Sequence, residues 1–97
     1  METVKPTPAY RRLQQQVSAL DWVCTGSVQR RHQLGAQKLR HPLYQWTRKL
    51  RGKTVTVNLT PDQYRHLRAA IANQRRLTRL ISAMQKLTIS WIFTQTP

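Results

Sequence analysis

Residues 44–59, YQWTRKL-RG-KTVTVNL, read as two strands joined by a two-residue turn at Arg51-Gly52. Glycine supplies a positive φ in such a turn, which brings the flanking strands together antiparallel. In the register set by this turn, Trp46 lies opposite Val57 and Tyr44 opposite Leu59. Gln45 meets Asn58, Thr47 meets Thr56, and Lys49 meets Thr54. Apolar faces apolar and polar faces polar at each of those pairs, as a half-buried sheet requires. The one misfit is Arg48, which falls opposite Val55 on the apolar side. The hairpin therefore has a packing face carrying Tyr44 and Trp46 and a face of Gln, Thr, Lys and Asn.

Directly after the hairpin, Thr60-Pro61-Asp62-Gln63 starts a helix. Threonine caps it, proline occupies the first helical position, an acid sits in the first turn, and Gln63 can close a capping box. Tyr64, Leu67, Ile71, Leu77, Ile81, Met84, Leu87 and Trp91 then form a near-heptad apolar stripe that Gln74 interrupts. No glycine or proline occurs from Asp62 to Thr96, so the expectation is one long helix over about residues 61–90, or two meeting at a kink near Ala72-Asn73. The distal stripe, Ile81 to Trp91, is longer than a small sheet can cover. It packs within the monomer, joins a second copy as a homodimer, or docks on a partner protein.

Upstream, residues 1–6 read as a flexible tail, and the remainder, 7–97, as a single domain. Thr7-Pro8 begins an N-terminal helix over about 8–21, with Tyr10, Leu13, Val17 and Leu20 on one face. Residues 27–32 (SVQRRH) suggest a short strand. Residues 34–42 (LGAQKLRHP), with Gly35, Pro42 and no clear period, suggest a loop. The fold class expected is α+β: an N-terminal helix, a small antiparallel β-sheet with a hairpin, and a long C-terminal helix.

Charge narrows the function. Seventeen Lys and Arg face three acids, Glu2, Asp21 and Asp62, in 97 residues, a formal charge of +14. Such an excess suits a chain that displaces counterions from a nucleic acid. Three scattered acids supply no carboxylate pair for metal-assisted or acid–base catalysis. Phosphate-binding glycine loops and nucleophile elbows are absent. Cys24 is the only cysteine, so no internal disulfide or multi-cysteine metal site is possible, and a buried thiol is the expectation. His32 and His41 flank the irregular segment, yet two histidines without thiols make a poor metal site. No cofactor or metal is expected. There is no apolar run of membrane-spanning length and no signal core, so the expected setting is cytoplasmic and nucleoid-associated.

The candidate nucleic-acid-binding residues are of two groups. Lys49, Arg51, Lys53, Thr54 and Thr56 belong to the hairpin, with Arg30 and Arg31 of the preceding strand extending it. Arg65, Arg68, Arg75, Arg76 and Arg79 form a helical strip of guanidiniums suited to phosphates. Sheet elements of this kind enter the major groove of duplex DNA, whereas structured RNA is held through shape and phosphates. The partner expected is therefore nucleic acid, duplex DNA ahead of RNA, with an acidic protein surface as the remaining alternative.

The order of motifs resembles a bacterial family of uncharacterised small proteins encoded beside insertion-sequence transposases. Gly26-Ser27-Val28, His41-Pro42-Leu43-Tyr44, Gly52-Lys53-Thr54 and Arg75-Arg76-Leu77 stand where that family carries a Gly-Ser-aliphatic strand, an "HGPY"-like segment, a "GKTRTVYL"-like hairpin and a "YRRL"-like helix centre. About two-thirds of the chain takes part. The family's cysteine knuckle is missing, since residues 32–40 read HQLGAQKLR, so no metal is carried over. The resemblance implies an accessory DNA-binding protein of a transposon or other mobile element, with a transposase or another effector protein as a possible partner.

Overall fold

The computed structural model describes residues 5–95. The element order is α1 (Pro8–Ser18), β1 (Ser27–Leu34), β2 (Gln37–Leu50), β3 (Lys53–Leu59) and α2 (Pro61–Gln95). The strands form one antiparallel sheet in the order β1-β2-β3. The fold is α+β with a helix, a three-stranded sheet and a long C-terminal helix. Of the expected tail, residues 1–4 lie outside the described residues, and Lys5 and Pro6 precede α1 without regular structure.

The β2–β3 hairpin has the register that the turn dictates: Tyr44 pairs with Leu59, Trp46 with Val57, Thr47 with Thr56 and Lys49 with Thr54. Both turn residues adopt positive φ, 52° at Arg51 and 78° at Gly52, as a type I′ turn demands.

Residues 34–42 are not a loop. Leu34 pairs with Gln37 around a two-residue turn at Gly35-Ala36, and β2 runs on from there. Gly35 has φ 58°, and Ala36 is not in the left-handed region, the placement a type II′ turn uses. Pro42 does not break the strand because the ladder is already interrupted there. Arg31 pairs with Leu43 but Gln33 pairs with Lys38, so His32 faces a bulge of Leu39 to Pro42, where a missing N–H costs no ladder bond. β1 accordingly reaches Leu34 rather than stopping near residue 32.

The chain divides into two compact units, Trp22–Gln74 and a second built of Met1–Asp21 with Arg75–Pro97, and α2 contributes to both. In the first unit, the opening turns of α2 lie on the Tyr44 side of the sheet, where the Tyr44 and Tyr64 rings meet at 4.7 Å. The segment leading into β1 is tied to α2 twice: Cys24 N–H donates to the Ala70 carbonyl (3.1 Å) and the Asn73 amide donates to the Trp22 carbonyl (3.0 Å). Ala70 and Ile71 are buried. Cys24 is half-buried rather than fully enclosed.

α2 starts with a complete capping box, Gln63 N–H to Thr60 Oγ1 (3.1 Å) and Thr60 N–H to Gln63 Oε1 (2.9 Å). It continues without a break at Ala72-Asn73 and ends at Gln95, past the expected residue 90. In the second unit Leu77, Met84, Leu87 and Trp91 keep to the less exposed side as the stripe expects, but Leu80 is buried there in place of Ile81, which is 43% exposed. α1 is capped by Thr7, whose hydroxyl accepts from Tyr10 N–H, and it stops at Ser18 rather than 21. Leu20 N–H reaches back only three residues, to Val17, and this tightened bond closes the helix. Among the described residues, no helix is long and apolar enough to cross a membrane.

Candidate nucleic-acid interface

The face of the sheet opposite Tyr44 and Trp46 is built from the alternate residues of three strands, since successive side chains point to opposite sides. One row across it is Gln29, Gln45 and Asn58; the next is Ser27, Thr47 and Thr56; Lys49 and Thr54 lie beyond, towards the turn, and Arg31 beside Leu43 at the other end. The rows are hydrogen-bonded internally. Gln45 Nε2 donates to Asn58 Oδ1 at 3.2 Å, and the Thr47 and Thr56 hydroxyls meet at 3.0 Å. Arg31 donates from both Nε (3.3 Å) and one Nη (3.2 Å) to Gln29 Oε1, which holds its guanidinium over the face. The result is a preorganised surface of amides and hydroxyls with a cation at each end.

Alternation separates the sequence candidates. Arg31, Lys49, Thr54 and Thr56 come together on this face. Arg30 does not: its guanidinium lies 6.0 Å from the Tyr44 ring, on the α2 side. The reading that Arg30 and Arg31 extend one surface is corrected to Arg31 alone, because neighbours in a strand cannot share a face. Lys53 pairs with Leu50 and belongs to the α2 side as well, while Arg51 sits in the turn itself.

The helical arginines divide between the units, Arg65 and Arg68 in one and Arg75, Arg76 and Arg79 in the other, and all five are exposed. Arg65 is ion-paired with Asp62, one of the three acids, so its charge is partly answered within the helix. That is the one ion pair among the described residues, and it leaves most of the cationic surplus facing solvent.

Arg48, the misfit of the hairpin register, explains itself in three dimensions. Its guanidinium stacks on the Trp46 ring at 3.9 Å, and the half-buried indole N–H donates to the Thr25 carbonyl at 3.0 Å. A guanidinium is weakly hydrated and planar, so an aromatic face substitutes for a polar partner on one side. Arg48 Nη1 is buried without a hydrogen bond. The sequence carries no signal for this stack beyond the misfit itself.

No group of three or more His, Cys, Asp or Glu able to hold a metal occurs among the described residues. His32 and His41 are exposed, His32 opposite the β1–β2 bulge and His41 within it. Comparison of the chain with protein-family models, with curated proteins and with solved structures finds no match.

Proposed function

We propose that this chain is a non-enzymatic nucleic-acid-binding protein that grips duplex DNA through the polar face of its sheet. The observation that carries the reading is a hydrogen-bonding face ended by Arg31 and Lys49, on a chain of formal charge +14 with a single ion pair among its described residues. A wet strand face is commonly Thr- and Lys-rich. What favours contact is the fixed guanidinium of Arg31 and the absence of any carboxylate on the face. The resemblance of the motif order to that of small proteins encoded beside transposases is the ground for proposing an accessory role in a mobile element, with a transposase or another effector protein as partner.

Strand alternation supplies the test. Replacing Arg31 and Lys49 together with Ala should weaken binding to duplex DNA. It should also reduce the slope of log affinity against log salt by about 1.8, at ~0.9 for each phosphate that is no longer neutralised. Arg30→Ala with Lys53→Ala removes the same charge from the α2 side and should reduce the slope by much less. Equal losses from the two pairs would show that no face is preferred. Salt-independent binding of the parent chain would remove nucleic acid from the reading and favour an acidic protein partner.

A further inference from the structure

The polar face holds more than charge, and its bonding pattern points to a particular ligand edge. In the Gln45–Asn58 pair one N–H donates to one carbonyl oxygen at 3.2 Å. Two side-chain amides joined by one such bond leave one carbonyl oxygen and one NH2 group outside it, on the exposed face of the sheet. This holds whichever amide is written as the donor. A donor beside an acceptor, held side by side, is the complement of adenine in the major groove, which offers an N7 acceptor next to an N6 donor. Thr47 and Thr56 in the adjoining row share one hydroxyl proton, leaving a second hydroxyl proton to donate and two methyl groups beside it. That row suits a thymine methyl.

Dimensions agree. The Gln45–Asn58 pair lies on the β2–β3 ribbon, and two strands ~4.8 Å apart are what a major groove about 12 Å wide admits. Same-face residues two apart on a strand advance ~6.8 Å, two base-pair steps of ~3.4 Å. From the Arg31–Leu43 row to Lys49 is six residues of β2, or about 20 Å, so the two end cations reach backbone phosphates roughly six base pairs apart. A-form RNA presents a deep, narrow major groove that such a sheet cannot enter.

Resting on the proposed DNA-binding function, we infer that the sheet reads sequence. The Gln45–Asn58 amide pair recognises an adenine within a site of about six base pairs in the major groove of B-form DNA, and Arg31 and Lys49 hold the flanking phosphates.

The test uses the full chain and a pool of randomised duplexes. The parent protein should enrich a short motif containing a fixed A·T pair. Gln45→Ala with Asn58→Ala should cut the preference for that motif over scrambled duplex about tenfold while leaving the salt slope unchanged. A duplex with 7-deazaadenine at the fixed position, which lacks the N7 acceptor, should lose the same preference with the unaltered protein, so the result does not depend on the variant folding. Salt-dependent binding with no enriched motif, or with a motif indifferent to 7-deazaadenine, overturns base reading and leaves the backbone-binding function intact. Tighter binding to an RNA duplex of the same sequence overturns it also. Absence of salt-dependent binding to any duplex overturns both readings.

Discussion

Gly26 stands where the chain enters β1 with φ 101°, and a Cβ built there would lie 2.6 Å from Trp46 Nε1 and 2.7 Å from the Thr47 carbonyl oxygen. Backbone conformation and space both demand glycine, and the nearest atoms belong to a ring already bonded to Thr25 and to a strand backbone. Gly26→Ala should therefore destabilise by about 2–3 kcal/mol, combining left-handed strain with displacement of the indole. Urea unfolding followed by tryptophan fluorescence checks this; an unchanged midpoint would mean the β1 entry is free to shift. Arg48 is a related case. A cation on an apolar face looks like a flaw in a strand pattern, and only the position of the Trp46 ring turns it into a stack. Arg30 and Arg31 are adjacent in sequence and identical in chemistry, yet one faces Tyr44 and the other the polar rows.

The β2–β3 hairpin was legible at the level of single pairs, because a two-residue turn leaves only one register in which apolar meets apolar. The same holds for the start of α2, whose Thr60–Gln63 box forms both of its bonds. The β1–β2 hairpin was not legible. Its Gly35-Ala36 turn is a weaker signal than Arg-Gly between alternating strands, and the bulge of Leu39 to Pro42 destroys the period that a strand would show. The I′ turn itself carries strain that the glycine does not relieve, since Arg51 occupies the left-handed region with a full side chain. Asn-Gly is the pair such turns prefer. Arg51→Asn should raise stability by up to about 1 kcal/mol, measured by thermal unfolding. Lower stability in Arg51→Asn would show that the arginine side chain, rather than the turn, holds the hairpin tip.

Across the full chain, the surplus of cations opposes folding, because few carboxylates are present to answer them. Going from ~0.01 M to ~0.1 M salt shortens the screening length from about 30 Å to 10 Å. Added sodium chloride should accordingly stabilise the chain by about 1 kcal/mol, a rise in Tm of about 4–8 °C for a domain of this size. Scanning calorimetry across that range would sink the idea if Tm stayed flat. The cationic surplus, the β2–β3 register and the capped start of α2 were all written in the order of residues, because each rests on composition or on bonds between residues close in the chain. Three-dimensional packing was needed to establish how β1 lines up beside β2, so that Arg31 joins Lys49 while Arg30 faces Tyr44, and that Arg48 stacks on Trp46. Those outcomes depend on where a bulge falls, which side of a sheet a helix covers, and which rings meet, and such long-range packing leaves no period in the chain to read.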